Sequence, residues 1–208
     1  SMPENLHKLF VISSPSGGGK TSLINELFED SRSANFEKSI SYTSRQKRQG
    51  DLEGKDYYFI SEKDFKDKIE KEEYVEYATV FGNFYGTSKE EIKTKYNNSN
   101  LVLELDWQGA YAVKELFDDA RLIFLVPPSL NDLKQRLIKR NLDSSESIEN
   151  RLSEAKKEIS KSAIYDYLVL NDDFDKALED LSQILFESIS TSDFISRVPK
   201  DLIKRLVE

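Results

Sequence analysis

The most constraining feature of the sequence is the stretch at residues 13–22, which is Ser-Ser-Pro-Ser-Gly-Gly-Gly-Lys-Thr-Ser. It follows an apolar run at residues 9–12 and precedes a segment with helical character that begins at Leu23. A strand, a glycine-rich turn and a Lys-Thr pair that opens a helix are typical of a loop that binds phosphate. Glycines let successive backbone N–H groups turn towards phosphate oxygens, and the helix N-terminus adds a partial positive charge.

Two side chains of this loop suit the binding of a nucleotide. The Lys20 ammonium can reach the terminal phosphates as a point charge, and the Thr21 hydroxyl can ligate Mg²⁺. Ser14 stands where the usual Gly-x-x-x-x-Gly-Lys-Ser/Thr pattern begins with glycine. The alternative is a Gly/Ser-rich turn that only caps a helix, because both residues are common in turns. The strand before the loop and the Lys-Thr pair after it favour phosphate binding.

Composition limits the kind of protein that carries this loop. The 208 residues suit one sizeable domain, or a domain with an inserted subdomain, and the 38% hydrophobic and 33% charged content predicts a soluble folded chain. The lack of cysteine and the single histidine exclude disulfides, thiolate zinc sites and histidine triads. With a net charge of −8, we expect no general binding to nucleic acid or to membranes. No apolar run suits a membrane span or a signal peptide, so the predicted location is the cytoplasm.

Apolar runs alternate with helical patterns along most of the chain. Buried strands are predicted at 101–106, 120–126 and 167–170, each followed by a helix. This alternation indicates an α/β fold with a parallel sheet and right-handed crossovers. Between these units, residues 39–87 read as a strand-rich insertion that is dense in tyrosine.

Two features at element ends carry further expectations. Ser88 and Glu91 have the spacing of a capping box, which predicts that a helix begins at Ser88 and runs to about Tyr96. The tail at residues 190–208 is less regular but has an apolar face, which would pack either on the body or on a partner.

The loop at residues 41–48 is a candidate phosphate clamp. Arg45 and Arg48 lie three positions apart among hydroxyl residues, and planar guanidinium groups bind phosphate through several donors. A solvated basic loop is the alternative.

A second candidate group consists of polar residues in or beside strands, namely Tyr57, Glu76, Tyr85, Thr87 and Asp106. A carboxylate can accept the N1–H and N2–H groups of guanine, and a hydroxyl can donate to its O6. Tyrosines can stack or hydrogen-bond to phosphate. An ordinary amphipathic sheet with its polar side outwards is the alternative.

A third candidate group is formed by Arg136, Arg140 and Arg151, which flank a polar break at residues 141–147. Arginines on a mobile segment can close over a transferring phosphoryl group and exclude water. A salt-bridged helix face is the alternative.

Glu104 and Asp106 end a strand predicted to be buried, where an acid can hold Mg²⁺ or its waters. Burial of an unpaired carboxylate is costly, which favours a functional role.

Several motifs in order give the sequence a resemblance to the guanylate kinase family over about residues 8–188. They are Ser-Pro-Ser-Gly-x-Gly-Lys-Thr at 14–21, Ser-x-Ser-x-Thr-x-Arg-x-x-Arg at 39–48, Gly-Lys-Asp-Tyr at 54–57, Glu-Tyr-Ala at 76–78, Gly-Asn-Phe-Tyr-Gly-Thr at 82–87, Glu-Leu-Asp-Trp-Gln-Gly at 104–109, Val-Pro-Pro-Ser at 126–129 and Asn-Asp at 171–172. Many members have Arg-Gly where this chain has Arg140-Asn141, and Thr-Pro where it has Gln46-Lys47. These departures bear on loop stiffness and lid closure.

The resemblance implies a role for each matching residue. ATP would be held by Ser14, Pro15, Ser16, Gly17, Gly18, Gly19, Lys20, Thr21, Arg136 and Asn171, the last of these at the adenine. GMP would be held by Ser41, Arg45, Arg48, Tyr57, Glu76, Tyr85, Thr87 and Asp106, with Glu76 and Asp106 taking the ring donors. Lys20, Arg45, Arg48, Arg140 and Arg151 would act in catalysis. Mg²⁺ would be bound by Thr21 with Glu104 or Asp106, directly or through water.

The resemblance also implies an architecture for residues 8–188. A parallel-sheet P-loop NTPase core with helices on both faces (8–38, 88–133 and 158–188) would carry an inserted GMP-binding subdomain (39–87) and a helical lid (134–157). Residues 1–7 would be an extension whose Ser1-Met2 is typical of a cloning remnant, and 189–208 a C-terminal tail.

The implied reaction is phosphoryl transfer from MgATP to GMP, and to dGMP, which yields ADP and GDP for purine nucleotide metabolism. No general base is needed because the attacking phosphate oxygen is already anionic. Whether the protein forms a homo-oligomer is left open.

Two alternatives remain beside this reaction. One is a guanylate-kinase-like module that binds proteins and has lost turnover, because fold does not determine function. The complete phosphate-binding loop and the full group of residues suited to recognise guanine argue against it. The other is a P-loop kinase for a different nucleoside monophosphate. Glu76 with Asp106 favours guanine, since adenine lacks the N1–H donor.

Overall fold

The computed structural model describes residues 6–16, 19–140 and 144–208, and over these it contains nine strands and eight α-helices. The strands are β1 (Leu9–Ser13), β2 (Phe36–Lys38), β3 (Tyr42–Thr43), β4 (Tyr58–Phe59), β5 (Tyr74–Val80), β6 (Asn83–Ser88), β7 (Asn100–Glu104), β8 (Arg121–Val126) and β9 (Tyr167–Leu170). The helices are α1 (Lys20–Glu29), α2 (Glu62–Glu70), α3 (Lys89–Asn98), α4 (Trp107–Leu116), α5 (Leu130–Lys139), α6 (Ser145–Ser160), α7 (Phe174–Leu185) and α8 (Leu202–Val207).

The larger sheet confirms the predicted α/β fold. Its five strands have the order β2-β7-β1-β8-β9, and each neighbouring pair is parallel. Alternate side chains of a strand point to opposite faces. Accordingly, Leu9 and Val11 join one buried apolar cluster, and Phe10 and Ile12 join a second one. Helices therefore cover both faces, which explains why the central strand β1 is buried along its whole length.

The carboxyl ends of these parallel strands bring the candidate motifs to one edge of the sheet. The phosphate-binding loop follows β1, and Ile12 of that strand pairs in register with Glu104 at the end of β7. Asn171 follows the last residue of β9, and its backbone N–H donates to Val126 O at the end of β8 (2.8 Å). Ligands of parallel sheets bind outside this edge, so the fold itself places the site.

The smaller sheet lies in the segment predicted to be strand-rich. Its order is β4-β3-β6-β5, with β5 and β6 forming an antiparallel hairpin. Helix α2 begins after Ser61, because the Ser61 hydroxyl accepts from the backbone N–H of Asp64 (3.0 Å). The ring of Phe65, the buried residue of this helix, stacks on Tyr74 and Phe84 with centroids 4.6 and 5.2 Å apart. This apolar contact holds α2 against the hairpin.

The expectation of a capping box at Ser88 is half right. Ser88 caps α3 by accepting from the backbone N–H groups of Glu90 and Glu91. The Glu91 carboxylate, however, accepts from the Ile40 backbone N–H and the Tyr58 hydroxyl instead of turning back to Ser88. A tertiary contact therefore replaces the local one.

The C-terminal tail packs on the body, which decides between the two alternatives left open by its sequence. Leu202 and Leu206 of α8 are buried in the first apolar cluster, where α8 packs against α6. Arg197 forms an ion pair with Asp172 (2.9 Å) and donates to Leu170 O (2.8 Å). Over the described part of the chain, no helix has the length and apolarity required to cross a bilayer.

Candidate active site

The phosphate-binding loop leads directly from β1 into α1. Gly19 is the N-cap of that helix and has φ of +76°, a left-handed conformation that favours glycine over any residue with a side chain. Before it, Pro15 is buried, whereas Ser14 and Ser16 are half-buried. Gly17 and Gly18, which the sequence predicts to bind phosphate, lie outside the described residues.

Lys20 is the first residue of α1 and is surrounded by acids. Burial lowers the pKa of its ammonium. The charges of Glu104, Glu158 and Asp106 act in the opposite direction and raise the pKa. A half-buried cation whose neighbours are carboxylates is poised to exchange them for the phosphates of a nucleotide.

Glu76 and Thr87 form the centre of the predicted guanine pocket. The Thr87 hydroxyl, on a residue only 1% exposed, donates to Oε1 of Glu76 at 2.6 Å. Burial raises the pKa of the Glu76 carboxyl, the Thr87 hydrogen bond lowers it, and the charge of Asp106 raises it. A Cβ built on Gly109 would lie 3.2 Å from Cγ of Glu76 and 2.9 Å from Cβ of Leu105. The absence of a side chain at Gly109 therefore lets α4 approach Glu76.

Asp106 is the N-cap of α4, and its Oδ1 accepts from the Gly109 backbone N–H at 2.9 Å. The expectation that Glu104 and Asp106 would be buried is wrong, since both are exposed at the end of the buried strand β7. Leu103 and Leu105 are buried in the first apolar cluster, and the side chains of Glu104 and Asp106, which alternate with them, point the other way towards the open edge of the sheet. They need no buried partner there and are free to meet a ligand.

The predicted acceptor-phosphate residues assemble around Arg45. Its guanidinium donates to Oδ2 of Asp51 (3.0 Å) and lies 5.3 Å from the ring centroid of Tyr57. The Tyr57 ring in turn meets Tyr85 edge to face, with centroids 5.7 Å apart. The Arg48 backbone N–H also donates to Asp51, whereas its side chain is exposed.

Asp51 is a residue that sequence reasoning did not identify. The hydrogen bonds from the Arg48 backbone and from the Arg45 side chain lower the pKa of its carboxyl. The pairing raises the pKa of Arg45 in turn. The signal available in the sequence was that Asp51 is the first acidic residue after the two arginines of this loop.

One cavity joins the two halves of the site. Its volume is about 450 Å³, and the predicted site residues along its wall are Thr21, Ser41, Tyr57, Thr87 and Glu104. Thr21 belongs to the predicted ATP-binding residues, whereas Ser41, Tyr57 and Thr87 belong to the predicted GMP-binding residues. Glu104 lies at the end of β7. In the described ranges, no group of three or more His, Cys, Asp or Glu could hold a metal ion.

Arg136, a predicted ATP-binding residue, lies beside Asn171, which the resemblance places at the adenine. The Arg136 guanidinium donates to Asn171 O at 3.3 Å and pairs with Asp132 at 3.1 Å. A Cβ on Gly19 would lie 3.5 Å from Nδ2 of Asn171 and 3.6 Å from a guanidinium nitrogen of Arg136, so both residues touch the phosphate loop. Arg140, the C-cap of α5, is exposed and borders a cavity of about 440 Å³ with these residues.

Helix α6 contacts the site at two points. The Arg151 guanidinium donates to the Ser16 hydroxyl at 3.0 Å. Seven residues further on, and thus on the same helix face, Oε1 of Glu158 accepts from the Trp107 backbone N–H at 2.8 Å. Burial raises the pKa of the Glu158 carboxyl to about 7, with a further increase from the charge of Asp106. The Trp107 N–H and the Lys20 charge act against this increase.

Glu158 is the second residue that sequence reasoning missed. Its seven-residue spacing from Arg151 is the only local sign that it faces the site, and many surface positions of α6 share such a spacing. Its contacts with Trp107 and with the surroundings of Lys20 depend on how three distant segments meet.

A phosphate-binding loop after the central strand of a parallel sheet, with a polar acceptor pocket opposite, defines a P-loop kinase for a small acceptor. The family model for guanylate kinase matches residues 6–188 of the chain. The chain therefore belongs to the guanylate kinase family.

Individual relatives agree with this membership. A guanylate kinase from Wolbachia sp. subsp. Brugia malayi is 46% identical over 184 residues, covering 88% of this chain and 93% of the relative. One from Hahella chejuensis is 48% identical over 178 residues, covering 85% of each. The crystal structure of guanylate kinase from Anaplasma phagocytophilum superposes with a TM-score of 0.66 at 34% identity, over 90% of this chain and 89% of that one.

Proposed function

We propose that the chain transfers the γ-phosphoryl group of ATP to GMP and yields ADP and GDP, as a step of purine nucleotide metabolism in the cytoplasm. The observation that carries this proposal is the hydrogen bond between Thr87 and Glu76, in a half-buried pocket beside Asp106. The pocket shares a cavity with Thr21 of the phosphate-binding loop. A nucleoside monophosphate kinase requires residues that recognise the base of the acceptor and a phosphate-binding loop, both on one cavity.

Guanine fits this pocket through an exchange of hydrogen bonds. In the free protein the single proton of the Thr87 hydroxyl is donated to Oε1 of Glu76. When that hydroxyl donates to O6 of guanine, Oε1 becomes available for the N1–H and N2–H donors of the ring. Asp106 would be the second carboxylate for these donors, and Ser41 lines the same cavity as Thr87. Adenine cannot complete this exchange because it lacks the N1–H group.

The GMP phosphate would bind between Arg45, Arg48, Tyr57 and Tyr85. Asp51 and the tyrosine ring already hold the Arg45 guanidinium in place, so less conformational entropy is lost when phosphate binds. The exposed Arg48 guanidinium is available to the same ligand.

The ATP phosphates would bind to residues 14–21, with Asn171 beside the adenine and Arg136 as a further ATP-binding residue. A phosphate oxygen of GMP attacks the γ-phosphorus, and the bond from that phosphorus to the β–γ bridging oxygen breaks, so that ADP leaves. Catalysis of such a loose transition state rests on alignment and charge neutralisation. The cations that would perform this task are Lys20, Arg45, Arg48, Arg140 and Arg151.

We also propose that Mg²⁺ binds with ATP. Thr21 and Glu104 border the cavity between the two halves, and Asp106 lies exposed nearby, which suits an ion held by few protein ligands. The bound ion would neutralise charge on the β- and γ-phosphate oxygens.

The proposed domain division assigns the GMP-binding subdomain to residues 39–87 and the lid to 134–157. The smaller sheet and α2 support the first assignment, because they lie within 42–88. Helices α5 and α6 carry Arg136 and Arg151 and continue across both proposed lid limits. Closure of these segments would exclude water from the transferred phosphoryl group.

A coupled assay with ATP and the acceptors GMP, dGMP, AMP and UMP tests the proposal. We expect turnover with GMP and dGMP, and discrimination against AMP of about 10⁴-fold, because unpaired buried polar groups penalise the wrong base. Preference for AMP or UMP would contradict the acceptor assignment. If no acceptor reacts, the protein is the non-catalytic module considered above.

A Lys20→Ala variant serves as the control for the assay, since it should lose most turnover and remain folded. The absence of nucleic-acid binding remains a prediction, which a filter-binding assay would test, and light scattering would decide whether the protein forms a homo-oligomer.

A further inference from the structure

Glu91 is a buried carboxylate to which the proposed reaction assigns no role. It lies in the first turn of α3 and is 8% exposed. Its Oε2 accepts from the Ile40 backbone N–H (3.2 Å), and its Oε1 accepts from the Tyr58 hydroxyl (2.9 Å) and pairs with the Lys95 ammonium (3.2 Å). Three donors thus compensate the burial of one charge.

The groups held by Glu91 are the chain neighbours of two acceptor-site residues. Ile40 precedes Ser41, and Tyr58 follows Tyr57. Successive side chains of an extended segment point to opposite sides. Tyr58 therefore reaches back to Glu91, whereas Tyr57 borders the cavity.

The same cluster braces the connection between the two sheets. Strand β2 of the larger sheet ends at Lys38, and β3 of the smaller sheet begins at Tyr42. The Lys95 ammonium donates to Lys38 O at 3.0 Å, just before this connection, and Glu91 holds Ile40 within it. In addition, the Tyr58 backbone N–H donates to Ser41 O at 2.9 Å. The start and the middle of the connection are thus attached directly to α3, and its far end is attached through Tyr58, whose hydroxyl donates to Glu91.

We infer that Glu91 is a positioning residue for the acceptor nucleotide, because its hydrogen bonds to Ile40 and Tyr58 hold Ser41 and Tyr57 towards the cavity. The inference rests on the proposed function. Glu91 touches neither reacting group and acts through the backbone of residues 40–41 and through the Tyr58 side chain. Preorganisation of this kind strengthens binding because less order has to be imposed when the ligand arrives.

Two variants test the inference with ATP and GMP as substrates. Tyr58→Phe keeps the ring and removes the hydroxyl that Glu91 accepts from, and Glu91→Gln keeps the shape and removes the charge. We expect each to raise KM for GMP about 3- to 10-fold, as for the loss of one or two hydrogen bonds, and to leave KM for ATP within about 2-fold. The double variant should raise KM for GMP by less than the product of the two single increases, since both substitutions remove the same contact.

Glu90→Gln is the matched control, because Glu90 is the exposed neighbour on the same helix turn. It should leave both Michaelis constants unchanged. If Glu91→Gln does not fold, Tyr58→Phe decides the matter alone. A fall in thermal stability with unchanged KM for GMP, or equal changes in both Michaelis constants, would show a merely structural role and overturn the inference. A wild-type protein that fails to phosphorylate GMP would overturn the proposed function and, with it, this inference.

Discussion

The Arg151 guanidinium donates a hydrogen bond to the Ser16 hydroxyl at 3.0 Å and so connects helix α6 to the phosphate-binding loop, 135 positions away in the sequence. A cation of the proposed lid therefore already lies against the loop that would hold the ATP phosphates. Because guanidinium groups bind phosphate through several donors, a short movement would take Arg151 from Ser16 to a phosphoryl oxygen.

Replacement of Arg151 by alanine should lower kcat by roughly 10²–10³-fold, the usual cost of removing one preorganised donor to a transition state. Steady-state kinetics with ATP and GMP measure this. Lys156→Ala is the matched control, since Lys156 is a cation of the same helix that donates to Glu208 O instead. A kcat within 2-fold of wild type for Arg151→Ala would place Arg151 outside the catalytic machinery.

The efficiency of the enzyme with GMP should fall at a higher pH than the titration of an ordinary glutamate would produce. Burial raises the pKa of Glu76, so this carboxyl takes up a proton at higher pH than an ordinary glutamate and then accepts poorly from the guanine ring donors. We expect kcat/KM for GMP to fall as the pH is lowered through this raised pKa, whereas KM for ATP should not follow the same curve.

Glu76→Gln provides the control for the pH profile. The amide should raise KM for GMP about 10- to 100-fold at neutral pH, as for the loss of charge-assisted hydrogen bonds, and should abolish the acid limb. An acid limb that persists in this variant would belong to another group.

Gly109→Ala should impair GMP binding from a position that contacts no substrate. The added Cβ would lie 2.9 Å from Cβ of Leu105 and 3.2 Å from Cγ of Glu76, so either α4 or Glu76 must move. We expect a loss of about 1–3 kcal/mol in the free energy of unfolding, which exceeds the gain in helix propensity. KM for GMP should rise more than KM for ATP.

Urea unfolding and steady-state kinetics test this substitution, with Gln108→Ala, an exposed change in the same helix, as control. Greater stability with unchanged KM for GMP would mean that the site accommodates the methyl group.

Glu158 should make the free protein less stable as the pH rises. Its folded-state pKa of about 7 is above the ordinary value of 4.5, so the folded protein binds this proton more tightly than the unfolded chain. The resulting stabilisation is present below pH 4.5 and is lost as the pH rises through about 7. Glu158→Gln keeps an acceptor for the Trp107 N–H and removes the charge.

Calorimetry without nucleotide or metal tests this expectation. At pH 8, Glu158→Gln should be more stable than wild type by on the order of 1 kcal/mol, a value reduced by the partial exposure of the group. This corresponds to a melting temperature roughly 2–4 °C higher. The difference should vanish near pH 5, and Glu154→Gln on the same helix should show none of it. A constant difference at all pH values would exclude titration of Glu158 as its cause.

Features that depend on neighbouring residues were predictable from the sequence. The phosphate-binding loop, the Ser88 cap and the parallel sheet follow from contiguous motifs, a capping residue and the alternation of apolar runs with helical patterns. The motifs also named the members of the acceptor pocket, among them Glu76 and Thr87, although not the hydrogen bond between them.

The tertiary structure decided which partner each polar group takes. Glu91 has the spacing of a capping box but binds Tyr58 and Ile40, because packing brings these donors to a buried carboxylate. The acids predicted to be buried at the end of β7 are exposed, since their side chains alternate with those of the buried Leu103 and Leu105 and point to the opposite side. Glu158 meets Trp107, 51 positions away, only because α6 crosses the edge of the sheet. Local hydrogen bonds and periodicity are encoded by residues close in sequence. Contacts between distant segments depend on how whole elements pack, and residue spacing does not encode that.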